Sequence, residues 1–129
     1  MPSHDTLERC IARVEGNAHV EAIAEFYAEH ASMQENQQPP RSGRAQLMAG
    51  EAAVLARMKS VQSACVRPVL VSGDTVVVRW RFRFERLDGR VSEMEELAWQ
   101  RWDGERIVEE QFFYDPAQLQ PRPPAETAT

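Results

Sequence analysis

Apolar residues recur at helical intervals early in the chain and at alternate positions later, and this change of period divides the sequence into two kinds of structure. Leu7, Cys10, Ile11 and Val14 trace one stripe behind an Asp5/Glu8 pair with capping-box spacing, which predicts a helix from about residue 5 to 15. Gly16 and Asn17 supply a stop and a new N-cap. Val20, Ile23, Ala24 and Tyr27 then predict a second helix that fades near His30. From Ala31 the period becomes two, so Ala31, Met33 and Glu35 share one face of a short strand that Pro39 and Pro40 end. Ser42 and Gly43 open a third helix, whose Leu47, Val54, Leu55 and Met58 continue to about Lys59.

Everything afterwards reads as strand and turn. Strands are predicted over Val66 to Val71, Thr75 to Arg86, Arg90 to Trp102 and Ile107 to Tyr114, punctuated by Ser72-Gly73-Asp74, Leu87-Asp88-Gly89 and Asp103-Gly104. The stretch from Pro116 holds four of the eight prolines among Gln, Glu, Thr and Ala. Such a composition cannot bury enough surface to fold alone, so residues 1–116 are expected as one domain and 117–129 as a tail.

The sharpest pattern lies between Val76 and Phe84. Val76, Val78, Trp80, Phe82 and Phe84 alternate with Val77, Arg79, Arg81 and Arg83, giving one oily aromatic face and one cationic face. A three-residue loop at Leu87-Asp88-Gly89 sets Arg81 opposite Glu95 and Arg83 opposite Glu93, which neutralises the outer face. That register turns Ser92, Met94, Glu96, Ala98 and Gln100 toward Trp80 and Phe82. A two-residue loop would slip the register by one and exchange the faces; the pairing of Arg with Glu favours the first choice.

Composition narrows the functional classes. A chain of 129 residues has room for one core, and 20 acidic against 15 basic residues give a formal charge of -5. Nucleic acid is an unfavourable partner for such a surface. No apolar run approaches the ~20 residues of a membrane helix. Cys10 and Cys65 form at most one bridge, and no secretory-type N-terminus is visible, so a reducing cytoplasm is expected. His19 and His30 stand about 16 Å apart along one helix, too far to share a metal. CxxC, HExxH, Gly-rich phosphate loops and Gly-x-Ser-x-Gly are absent from the sequence, so neither metal nor cofactor is implied.

Three helices, a short strand after the second, and a curved meander after the third resemble the nuclear transport factor 2-like superfamily. Phe26-Tyr27-Ala28-Glu29-His30-Ala31-Ser32-Met33-Gln34-Glu35 is similar to its helix-to-strand junction, and Pro40-Arg41-Ser42-Gly43 to its approach to the third helix. Asp103-Gly104 with Arg106-Ile107-Val108 resembles its last hairpin, and Phe112-Phe113-Tyr114-Asp115 the aromatic-Asp ending of the SnoaL-like, polyketide cyclase-like branch. The resemblance implies an α+β class: a cone-shaped α+β barrel, with three N-terminal helices packed on a curved antiparallel sheet. It implies a small cofactor-independent enzyme performing acid/base proton transfer, cyclisation or isomerisation, on an apolar or aromatic-like carbonyl compound. A non-catalytic ligand-binding or interaction module of the same fold is the alternative.

Compared with ketosteroid isomerase, the general-base position falls at Glu35, whereas the two oxyanion-donor positions fall near Ile11 and Ala98, neither of which can donate. Glu35 and Glu96 are therefore the expected acid/base pair, since two carboxylates in one oily cavity push their ionisations apart. Tyr27, Met33, Trp80, Phe82, Gln100, Phe112 and Tyr114 are expected to contact substrate. Of Glu109 and Glu110, adjacent on one strand, the hairpin allows either to face inward, and Glu110 is preferred. Leu97 and Trp99 fall on the convex side and imply a homodimer through that sheet face.

Overall fold

The computed structural model describes residues 1–123. Helix α1, His4–Glu15, is capped by Ser3, whose hydroxyl accepts from the Thr6 N–H at 3.1 Å. The expected Asp5 cap is corrected: Asp5 lies inside the first turn and accepts from Arg9 Nε at 3.0 Å. Helix α2, His19–Phe26, stops before His30, because Tyr27 is already extended and pairs with Ile107 in the sheet. Cross-strand pairing here overrides a spacing that would also suit a helix.

Strand β1 accordingly runs Tyr27–Glu35, longer than predicted, and is followed by the two-residue β2, Arg41–Ser42, which pairs antiparallel with it. Helix α3 covers Arg44–Leu55 and not the expected stretch to Lys59, because Met58 and its successors are drawn into β3, Met58–Ser72. β3 is an edge strand carrying the cis Arg67–Pro68 bond at an irregularity in its pairing, where a missing N–H donor is tolerated. Its polar, weakly alternating first half left no signal until a partner strand was present. β4, Thr75–Arg86, β5, Val91–Asp103, and β6, Arg106–Phe113, complete an antiparallel meander close to the predicted spans.

The six strands lie in the order β2-β1-β6-β5-β4-β3. β1 joins β6 in parallel, so the sheet is mixed and not wholly antiparallel as expected. Helices pack on one face: Leu7, Ile11, Ile23 and Leu47 meet Val78 and Trp80 in a single cluster. Each such side chain, fully buried, stabilises the fold by about 1.5–3 kcal/mol. The segment from residue 117, expected as a tail, starts by packing on β5. Pro116–Leu119 forms a 3-10 turn, Gln118 bonds to Glu95 main-chain groups, and Arg122 exchanges two backbone bonds with Val91 at 2.9 and 2.7 Å. Residues 124–129 of that segment lie outside the described residues.

The β4–β5 hairpin turns as predicted through Leu87-Asp88-Gly89, with Gly89 at φ 86° and the Arg86 N–H bonded to Arg90 O at 2.8 Å. Arg81 faces Glu95 and Arg83 faces Glu93. Glu95 binds both Arg79 and Arg81, while Glu93 takes Arg122 as its ion-pair partner at 2.7 Å. On the inner side Ser92, Met94, Ala98 and Gln100 are buried. A second count of residues matters as much. Arg101 pairs with Glu109 but Trp102 pairs with Ile107, so Val108 is an extra residue in β6. This bulge buries Ile107 and Val108 together and sets Glu110 inward, leaving Glu109 outside on Arg101 at 2.9 Å.

Gly43 precedes α3 at φ 98° and ψ 119°, and its N–H bonds to Ala31 O at 2.9 Å. A Cβ there would meet nothing within 4 Å, so any cost of adding one is conformational. Gly43→Ala should lower the unfolding free energy by about 1–3 kcal/mol in urea titration.

Candidate functional site

A cavity of about 390 Å³ lies between the helices and the inner faces of β1, β4, β5 and β6. That is enough room for a drug-sized molecule. Strand periodicity explains its lining, because every second residue from Val78 to Arg86 and from Ser92 to Gln100 points the same way. Its wall includes Tyr27, Met33, Glu35, Trp80, Phe82 and Glu96. Gln100, Glu110, Phe112 and Tyr114 are there too, so all ten sequence-selected residues are brought to one space.

One end is closed by a polar chain. Tyr27 OH donates to one oxygen of Glu110, Gln100 Nε2 donates to the other at 2.8 Å, and Trp102 Nε1 donates to Gln100 Oε1 at 3.0 Å. All four residues are buried. Burial pushes the Glu110 carboxyl up from 4.5 to about 7; the Tyr27 and Gln100 donors hold it back, and the charges of Glu35 and Glu51 add to the rise. Burial likewise pushes the Tyr27 hydroxyl well above its usual range, helped by the neighbouring Glu110 charge.

Glu96 faces Trp80 across the hairpin, and no side chain or backbone N–H among the described residues donates to its carboxyl. Desolvation raises its pKa well above 4.5, with Glu110, Glu35 and Glu51 adding repulsion. Glu35 is different. Burial raises it too, but Arg41 Nη2 donates to it at 3.1 Å and opposes the rise by charge and hydrogen bond. Tyr114, beside both, is raised by desolvation and then by the Glu35 and Glu96 charges. Both carboxyls are raised, but in unlike surroundings: a cation opposes the rise at Glu35 and none does at Glu96, so Glu96 is held further toward the neutral acid.

Along β4 the inward rings form a ladder. Trp80 and Phe82 stack at 5.8 Å between centroids, Phe82 and Phe84 at 5.7 Å, and His19 meets Phe82 edge-on at 5.6 Å. His19 is fixed between Glu51 Oε1 at 3.2 Å and Ser63 Oγ at 2.8 Å. Sequence reasoning missed His19 and Glu51 as wall residues, and also Arg41, Arg57 and Arg86. For Arg86 the signal was present, since it continues the Val76-to-Phe84 alternation by one more step. Glu51 lay one helical turn from Leu47, on the same face. Among the described residues no group of three or more His, Cys, Asp or Glu side chains is placed to hold a metal ion. No helix among them is long and apolar enough to cross a membrane.

The Glu110 shift couples to stability. Its folded pKa lies above its ordinary value, so the folded state holds an extra proton between pH 4.5 and about 7, and stability falls as pH rises through that window. The Glu110 share of the fall is roughly 3 kcal/mol. Glu110→Gln should flatten the decline in thermal midpoint between pH 5 and 8, leaving the slope due to Glu96; an unchanged decline would show that Glu110 does not titrate there.

No curated protein matches the chain. Among solved structures, an NTF2-like protein of unknown function from Burkholderia pseudomallei superimposes with TM-score 0.76 at 15% identity, over 89% of this chain and 92% of that one. A candidate SnoaL-like polyketide cyclase from a Jannaschia species gives 0.74 at 16%, over 89% and 86%. A protein of ketosteroid isomerase-like fold from Catenulispora acidiphila, in complex with trimethylamine, gives 0.76 at 17%, over 98% and 99%. At such identities the likeness speaks for the fold alone. The sequence itself goes further, because residues 7–110 match the SnoaL-like domain, and the chain belongs to that family.

Proposed function

We propose that this chain is a small SnoaL-like enzyme that moves a proton on an apolar carbonyl compound held in the cavity, leading to isomerisation or cyclisation. The observation that carries the reading is the unlike pair of carboxyls on the inner wall: Glu35 tied to Arg41, Glu96 half-buried and without a hydrogen-bond partner among the described residues. Glu35, as carboxylate, takes the proton from the carbon next to the carbonyl. Glu96, as neutral acid, donates to the carbonyl oxygen as negative charge develops there. It thereby supplies the donor that Ile11 and Ala98 cannot. As the carbonyl re-forms, the enol oxygen returns its proton to Glu96, and either Glu35 gives its proton to another carbon of a conjugated enol, or the enol carbon bonds to a second carbonyl carbon of the same molecule, whose oxygen takes up the Glu35 proton.

Trp80, Phe82, Phe112, Met33 and Tyr114 form the walls that exclude water. Tyr27, Gln100 and Glu110 close the far end and hold its shape. With 2-tetralone as probe, the protein should exchange its α-hydrogens for solvent deuterium faster than buffer, read by proton NMR. Glu35→Gln and Glu96→Gln should each slow this by about 10²-fold or more. Exchange should fall at low pH as Glu35 protonates and at high pH as Glu96 ionises. Ligand binding with exchange unaffected by either substitution would leave a non-catalytic binding module as the correct reading.

The same proposal includes a homodimer. Leu97, Trp99 and Phe113 are 45%, 53% and 37% exposed on the outer sheet face, and Leu97 pairs directly with Phe113. A second copy would cover this apolar patch. Light scattering should give twice the chain mass, and Trp99→Glu should give one chain mass without loss of helix content. Cys10 and Cys65 are both free, and residence in the reducing cytoplasm accords with that.

A further inference from the structure

The end of the cavity opposite the Tyr27–Glu110 network carries charge of the other sign. Arg86 is the last inward residue of β4, two places beyond Phe84, and Arg57 lies beside it, its carbonyl bonded to the Leu87 N–H at 3.2 Å. Both arginines line the cavity. The acids of the hairpin are occupied elsewhere or face away. Asp88 is held by Arg90 through Nε at 2.8 Å and the backbone N–H at 2.9 Å, and Glu85 is on the opposite face of β4. None of the ion pairs among the described residues includes Arg57 or Arg86.

Arg86 Nε is buried and has no hydrogen-bond partner. A buried donor of a charged group without a partner is rare in folded proteins. In a guanidinium, the Nε–H and the adjoining Nη–H form one edge that fits the two oxygens of a carboxylate side-on. That edge lacks a protein partner at Nε, and Arg86 lines the cavity next to an aromatic ladder about three rings long. Glu96 stands opposite Trp80, six residues back along the strand, or about 20 Å. Repulsion between that carboxyl and an anion at Arg86 is weakened by this distance.

We infer that Arg86, supported by Arg57, seats the carboxylate of an aromatic carboxylic acid whose ring system lies along Trp80, Phe82 and Phe84. The inference rests on the cavity being the small-molecule site and names the substrate class: an aryl compound with an acidic group at one end and the reacting carbonyl at the other. The anchored carboxylate fixes which end of the molecule reaches Glu35 and Glu96, so orientation is set by charge and the oily wall need only supply contact.

The test uses 4-biphenylacetate and its neutral primary amide, titrated calorimetrically at pH 7 into the full chain. The acid should bind on the order of tenfold more tightly than the amide. Arg86→Met should remove that preference while leaving the amide affinity within about twofold, which also reports that the variant is folded. Arg86→Lys, which keeps the charge but loses the fork, should retain only part of it. Equal binding of acid and amide to the unaltered protein, tighter binding of the amide, or a preference that survives Arg86→Met would each overturn the carboxylate seat and leave the proton-transfer reading standing. Failure of both compounds to bind would overturn the seat and the small-molecule reading of the cavity together.

Discussion

The turn Leu87-Asp88-Gly89 contains the count on which the cavity depends. Asp88 accepts from the Arg90 N–H, Gly89 takes a positive φ, and Arg86 and Arg90 close the hairpin opposite one another. From that point outward each residue of β5 is assigned a face by parity alone. One residue fewer in the turn would place Leu97 and Trp99 inside and Glu96 and Gln100 outside. The inward Glu96 and Gln100 and the outward Leu97 and Trp99 therefore follow from a single local geometry, accompanied by the inner burial of Met94, Ala98 and Gln100.

Much of this was legible in the sequence, because its signal was periodic. The β4 alternation of Val, Trp and Phe with Arg, the Glu residues two apart on β5, and the turn residues between them fixed register and inner face together. Where the sequence misled, the deciding partner was remote in the chain. Tyr27 to His30 could continue α2 until β6 is present to pair with them, and Met58 to Cys65 form a strand only because β4 offers an edge. Ser3 outcompeted Asp5 as a cap, a choice of one position that spacing rules do not resolve. The bulge at Val108 was invisible, since nothing in Ile107-Val108-Glu109-Glu110 says which residue is skipped.

Several wall residues found only in three dimensions are polar or charged, and their position on an apolar face looks like an interruption. Arg86 reads as the end of a stripe, Glu51 as a charge one turn beyond Leu47, His19 as part of an N-terminus. In the folded molecule each closes a gap between elements. His19 joins α2 to α3 through Glu51 and to β3 through Ser63, while Arg41 reaches from β2 to Glu35. The electrostatics are correspondingly collective. The Glu35 charge raises both Glu96 and Glu110, so a proton gained by Glu35 eases ionisation of the other two.

Val108 gives the architecture an unusual kind of evolutionary freedom. Deleting one codon there would straighten β6 and leave the other pairs as they stand, with Arg101 still opposite Glu109 and Gln100 still opposite Glu110. The acid at the surface and the acid bound to Tyr27 and Gln100 would both keep their places through such a frame-preserving loss. A supernumerary residue at an irregular step can be shed without re-aiming any side chain downstream of it.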